Sequence, residues 1–267
     1  MEISFEKTSF LSKLKSMLKV DFRRLFTSRL FYILVGACLV MPILILVMTT
    51  MMDGTVSTNP QTGEQTVIEG FKNTWQIIGS VSNSQASMSM DITSMCNLNM
   101  LYFFIAVLVC IFVSDDFRSG YCKNLFTVRA KKADYVTSKT LTCFVGGAFM
   151  IIAFIVGALI GGAISNLPFT LVGFNLLELI LCLICKVILV SVFVPIYLVM
   201  SVIAKEKTWL SMILSFCVGM FLFMMISITS PLNASIVHVV LCLAGGALFS
   251  AGLGIVSVKI LQKTRLV

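Results

Sequence analysis

Nine cysteines, one histidine and a few charged residues set in apolar sequence are the side chains here that could do chemistry. Cys38, Cys110, Cys143, Cys182, Cys185, Cys217 and Cys242 fall inside apolar runs, where a thiol behaves as a small apolar group. Cys182 and Cys185 make a C-x-x-C, a spacing used by zinc and dithiol centres, but no second pair and no nearby His accompany it. His238, the sole imidazole, suits a hydrogen-bonded interfacial position better than a proton relay. No H-E-x-x-H, paired Glu or G-x-S-x-G pattern occurs, so hydrolytic chemistry is not expected. A G-x-x-x-x-G-K-[ST] loop is missing as well, and without one the chain does not cradle nucleotide phosphates by itself. The expectation is a chain with no catalytic residues, no metal and no cofactor of its own.

The elements that must position these residues follow from composition. Of 267 residues 58% are hydrophobic and 12% charged, and the mean hydropathy is +1.01. That balance belongs in a bilayer, whose core of about 30 Å needs roughly 20 apolar residues per spanning helix because every backbone group must be paired within the lipid. Six runs qualify: Phe31 to Met51, Met95 to Val113, Leu141 to Ile164, a long one ending near Ala204, Trp209 to Thr229, and Ile236 to Val258. The fold class expected is therefore an all-α integral membrane protein of six spans, residues 1–267 forming one domain. The first run follows a charged lead and lacks a small-residue cleavage site, so it reads as a retained span rather than a signal peptide.

A net charge of +8 is compatible with nucleic acid, with anionic lipid or with the orientation signal of a membrane protein, and position separates these. Lys and Arg number seven in residues 1–30, six in 114–140, two in 204–208 and three after Val258; the connections on the other side hold one, Lys72. Eighteen against one predicts that both termini and the 114–140 segment face the cytoplasm, with no role for nucleic acid. Ahead of the first span, Leu11, Leu14, Leu18, Phe22 and Leu25 recur at spacings of three and four among Lys13, Lys15, Lys19, Arg23 and Arg24. The stretch 8–29 reads as a basic amphipathic helix, capped by Ser9, for the membrane interface or for a soluble partner. Residues 53–94 form the one large outer loop, polar and turn-rich at first, with a short helix or strand in "FKNTWQIIGSV"; it caps or lines an external vestibule.

Charged and amide residues within this frame each carry two readings. Lys186 lies some 18 residues before Ala204, or roughly 27 Å along a helix, which brings it near the outer surface, where snorkelling explains it; Glu178 lies further out on a helix extension. A buried ion pathway is the other reading. Asn97 and Asn99, beside Ser94, either face a polar substrate passage or mark the headgroup boundary. Gly157 and Gly161, with Ser250 and Gly254, repeat a small-x-x-x-small spacing that lets helix backbones approach, within one subunit or between two.

The segment "DDFRSGYCKNLFTVRAKKADYVTSK", Asp115 to Lys139, resembles the loop between the second and third spans of bacterial ABC transporter permeases of the type-2 exporter class. On that pattern Asp116, Phe117, Arg118 and Gly120 take the opening positions, Lys123 and Asn124 follow, Lys132 fills a basic position and Lys139 closes the loop. Asp116 stands where Glu is usual, and Tyr121 where Thr is common. The basic interfacial helix, the six spans and the large first outer loop extend the resemblance over nearly the whole chain. It implies two permease copies, identical or paralogous, joined to two ATP-binding cassette subunits that carry the ATP and Mg. It also implies that 114–140 is a coupling helix docked on the ATPase, with Leu125, Phe126 and Tyr135 as apolar contacts and Arg118, Arg129, Lys131 and Lys132 as polar ones. Export of an amphipathic molecule such as a bacteriocin or lantibiotic peptide, or immunity to one, across the bacterial plasma membrane is the activity the resemblance implies. A non-transporting sensor or assembly protein and a secondary transporter are the alternatives, the last without coupling acids or broken-helix repeats in the spans.

Overall fold

The computed structural model describes residues 10–58, 65–67, 70–81, 96–127 and 131–263. Among them are eight α-helices: α1 (Phe10–Thr27), α2 (Arg29–Met52), α3 (Leu101–Arg118), α4 (Tyr121–Thr127), α5 (Lys132–Ile164), α6 (Leu176–Ala204), α7 (Thr208–Thr229) and α8 (Ile236–Lys263). Five of these, α2, α3 with its preceding turn, α5, α6 and α8, are long and apolar enough to cross a membrane, and α7 is a sixth apolar helix of 22 residues. Each of the six expected apolar runs falls on one of them.

Two boundaries depart from expectation, both around the charged segment. Helix α3 continues to Arg118, and α5 begins at Lys132, so 114–140 is mostly helix end and helix start, leaving only 119–131 between them. With 33 residues α5 is roughly 50 Å long, well beyond the apolar thickness, and its polar first turns extend the helix rather than a loop. Tyr135, Ser138 and Lys139 carry those turns because their polar atoms find partners in neighbouring helices, which charge counting along a sequence does not register.

The basic segments, α1, the α3–α5 connection, Lys205 to Lys207 and the end of α8, are connections or helix ends that alternate along the chain with those of the opposite end. At that opposite end the chain from Asp53 includes an antiparallel hairpin, β1 (Val56–Thr58) with β2 (Gln65–Val67), Val56 facing Val67, which the polar composition had not announced. The "FKNTWQIIGSV" stretch folds as a 3-10 turn, Thr74–Ile77, capped by Asn73, whose Oδ1 accepts from the Trp75 N–H at 3.1 Å. Its Trp75 Nε1 donates to the Phe169 carbonyl at 3.1 Å, and the Leu232 N–H donates to Ser80 at 2.9 Å, so this segment covers the α5–α6 and α7–α8 connections.

Helix α2 buries Phe31, Leu34, Cys38, Pro42 and Leu46 along one face, against α5. The crossing is close because Gly157 and Gly161 leave room for it. A Cβ on Gly157 would run into the Leu39 carbonyl, and one on Gly161 into Ile43. That motif therefore packs within the subunit. In α8 the equivalent contact is made by Gly246, which faces Ser191 of α6, and by Ser250, whose Oγ donates to the Ser191 carbonyl at 3.0 Å. Gly254 has no chain atom near the place of a Cβ, so the expected Ser250–Gly254 stripe shifts one turn back, to Gly246–Ser250.

Candidate functional site

Helix α1 is amphipathic for a local reason: Leu14, Leu18 and Leu25 share a stripe with Asp21, the helix's single acid. An acid on the apolar face needs a partner, since a buried unpaired charge is costly. The partner is Lys139 of α5, whose Nζ donates to Asp21 Oδ1 at 2.7 Å and lies 2.7 Å from Asp116 Oδ2 of α3. Arg24, one turn along α1, closes the set with its Nη1 2.6 Å from Asp116 Oδ1, an ion-pair contact rather than an aligned hydrogen bond.

Two carboxylates and two cations thus form a neutral quartet joining three helices. Lys139 and Asp116 are 0% exposed and Asp21 1%, so three of the four are shut off from solvent, while the Arg24 side chain, 32% exposed, forms the outer edge of the quartet. Neighbouring groups complete it. Ser138 Oγ donates to Asp21 Oδ2 at 2.6 Å, and the Tyr135 hydroxyl donates to Asp116 Oδ2 at 3.0 Å. The Lys139 ammonium lies 4.0 Å from the Phe112 ring centre, and the Arg24 guanidinium 4.5 Å from that of Tyr121. Burial opposes the Arg24 charge, but the Asp116 carboxylate together with Asp21 and Tyr121 outweighs it and raises the Arg24 pKa, which keeps the guanidinium charged.

Gly120 sets the geometry of the following turn. It sits just past the end of α3 with φ of +72°, a left-handed conformation that glycine adopts without a Cβ penalty. The chain reverses there, and the seven-residue α4 lies back on the bundle. Its inward face is Tyr121, Cys122, Leu125 and Phe126, with the Phe126 ring 5.6 Å from Tyr135 and edge-on to it. Burial pushes the Cys122 thiol up to about 12 and raises the Tyr121 phenol as well. Lys123, Asn124 and Thr127 face outward, beside exposed Asp115, Arg118, Ser119 and Lys131.

These positions redistribute the expected contacts. Tyr135 is 0% exposed, so its ring and hydroxyl serve the quartet rather than an external docking face. Phe117 is buried too, and Leu125 and Phe126 are half-buried against the core. Lys132 donates through Nζ to the Leu261 carbonyl at 2.7 Å, tying the start of α5 to the last turn of α8. Arg118, Lys123 and Lys131 keep their side chains outward, whereas Arg129 lies outside the described residues. Asp21 and Arg24 are the site residues that the loop pattern alone does not reveal.

At the opposite end Asn97 begins the turn Leu98–Met100, its Oδ1 accepting from the Asn99 N–H at 3.0 Å, and it borders an apolar crevice between α2, α3 and α5. Lys186 does not snorkel. Its side chain is 0% exposed and turns inward, where Nζ donates to Asn99 Oδ1 at 2.7 Å. Glu178 caps α6, Oε2 accepting from the Asn175 N–H at 2.8 Å, and His238 caps α8, Nδ1 accepting from the Ser235 N–H at 3.1 Å. Cys182 and Cys242 donate to carbonyls at the end of α7, Cys182 to that of Ser230, just past the helix, at 3.6 Å and Cys242 to that of Thr229 at 3.8 Å.

Comparison with known families identifies what scaffold carries the quartet. The family model described as ABC-2 family transporter protein matches residues 17–222, from within α1 to within α7. The chain belongs to the ABC-2 transporter family. No curated protein and no solved structure matches it. As an ABC-2 type permease it is a multi-pass membrane protein, the transmembrane component of its transporter rather than a catalytic one. All four quartet residues lie within the matched span.

Proposed function

We propose that this chain is the membrane subunit of an ATP-driven exporter, residues 1–267 forming one permease domain of six spans with both termini and the 119–131 connection in the cytoplasm. The charge asymmetry supports the sidedness, since Lys and Arg are retained on the cytoplasmic side of multi-pass proteins. Two copies, or one copy and a paralogue, pair with two ATP-binding cassette subunits that hold the ATP and Mg. The membrane is the bacterial plasma membrane, and the cargo is an amphipathic molecule, a bacteriocin-like peptide in the first instance.

The observation that carries the mechanism is the quartet. It joins α1, α3 and α5 at the end where α4 is presented, so a push on α4 is delivered to an interfacial helix and two membrane rods together. Short polar contacts among buried groups, as at Lys139, Asp21 and Asp116, do not stretch gradually; they hold or they break, which makes the three helices move as one body. The outward face of α4 and its flanks is basic, through Arg118, Lys123 and Lys131, and it meets a groove on the ATPase that is acidic in complement. Leu125 and Phe126 pass the movement inward to Tyr135.

The test is affinity capture of the tagged chain from solubilised native membranes, with ATP hydrolysis assayed on the eluate. A P-loop ATPase recovered in equal amount, and lost when Arg118→Glu and Lys123→Glu are combined, is the expected result. Recovery of a folded chain with no ATPase overturns the reading.

A further inference from the structure

The end of α3 far from the quartet holds a second polar contact, built around Lys186. Its Nζ donates to Asn99 Oδ1 at 2.7 Å, and in return the Tyr102 hydroxyl donates to the Lys186 carbonyl at 2.8 Å. Tyr102 also stacks on Phe193 of α6, the ring centres 4.5 Å apart. Lys186 and Tyr102 therefore form a two-way clasp between α6 and the start of α3, with Lys186 at 0% exposure and Asn99 and Tyr102 at 1% each.

The clasp is chemically unlike the quartet. Among the described residues no ion pair includes Lys186, and the described carboxylates at this end are engaged elsewhere: Glu178 in capping α6 and Asp53 in accepting from the Gly70 N–H. The ammonium has a neutral amide as its acceptor. An intramembrane cation held in that way is expensive to keep dry, and a methionine, one atom shorter, would fill most of the space without that cost. A contact that only had to fasten two helices would not use such a group. One that must release does, because an ammonium with a single neutral acceptor has little to lose when it finds water or another oxygen.

We propose that Lys186 is a positioning residue of the transport cycle: its clasp on Asn99 and Tyr102 holds the far end of α3 against α6, and this contact opens when the quartet end of α3 is driven by the ATPase. Helix α3 is then a rod with a firm polar grip at one end and a releasable one at the other. The cycle part rests on the permease reading; the clasp itself does not.

Two substitutions act on the clasp in opposite senses. Lys186→Met removes the donor, and Asn99→Asp turns the neutral acceptor into a carboxylate that grips the ammonium. In the chain alone, in lipid nanodiscs, hydrogen exchange at the amides of 98–103 is expected to quicken about fivefold in Lys186→Met and to slow about fivefold in Asn99→Asp. In the complex, ATP turnover is expected to fall about fivefold or more in both variants, while the melting temperature of Lys186→Met stays within about 3 °C of the parent or rises. Unchanged exchange in both variants overturns the clasp. Changed exchange with normal turnover overturns its part in the cycle, and turnover that falls only in step with melting temperature reduces Lys186 to a structural tether. A chain captured without an ATPase overturns the permease reading and the cycle with it, while the exchange measurement still decides whether the clasp exists.

Discussion

Lys139 is the residue on which the quartet turns, because it alone touches both carboxylates. Replacing it by Met leaves Asp21 and Asp116 buried with only Arg24 between them, and breaking a buried pair in that way costs about 3–5 kcal/mol. Asp21→Asn should cost less, since Ser138 still donates to the amide oxygen. The double variant should be more stable than the sum of the two losses predicts by about 1 kcal/mol or more, because each change removes the other's unpaired charge. Thermal unfolding of the four proteins in detergent, analysed as a double-mutant cycle, measures that coupling; strict additivity would disprove the contact. A second prediction concerns Cys122. With its thiol pushed up to about 12 by burial, it is protonated near neutral pH and should resist alkylation at pH 8 in the folded protein yet react at once in dodecyl sulfate. The sign of the pH dependence follows: an unfolded thiol near 9 releases its proton first, so this group's contribution to stability is intact below pH 9 and declines as pH rises from there.

At the scale of elements, glycine position matters more than glycine number. Gly157→Ala puts a methyl against the Leu39 carbonyl of α2, and separating those helices should cost about 1–3 kcal/mol. Gly254→Ala meets nothing and should be neutral or stabilising by up to about 1 kcal/mol, the usual gain in helix propensity. Melting temperatures of the two variants, expected to fall for Gly157→Ala and to hold or rise for Gly254→Ala, check the assignment. The same contrast shows what was legible in the sequence. Apolar run length located six helices, since length and hydropathy are summed along the chain. The G-x-x-x-G spacing announced close packing but not which neighbour it served, which depends on how α2 and α5 cross. Lys186 was misplaced for a related reason: distance along a helix gives depth, whereas the direction of a side chain around it depends on what stands opposite, here Asn99. Asp21 could have been found, because it interrupts a stripe of leucines at helical spacing. Its partners could not, since they lie more than 90 residues away.

For the whole molecule the decisive quantity is which end faces the cell interior. The quartet, the outward face of α4 and the clasp at Lys186 make one mechanical chain only if the basic end is cytoplasmic, for ATP is found there. Ser119 and Asn124 are exposed, bracket the turn at Gly120, and stand outside the quartet, so a cysteine at either should leave the fold intact. Of the native thiols described, Cys217 is exposed on the apolar helix α7, where charged reagents should not reach it within lipid, and Cys96, half-buried at the end opposite the quartet, is replaced by Ser in the background used. A membrane-impermeant maleimide should then modify Ser119→Cys or Asn124→Cys in inside-out vesicles and leave both untouched in intact cells, with a cysteine at Gly54 behaving in the opposite way. Gly54 is a suitable counterpart because it lies in the turn after α2 with open space around it, although its φ of +78° will cost the variant about 1 kcal/mol. Labelling of position 119 or 124 from outside would leave α4 where no ATPase can reach it. The quartet would then be a fastening within the membrane domain, with no energy source to pull on it.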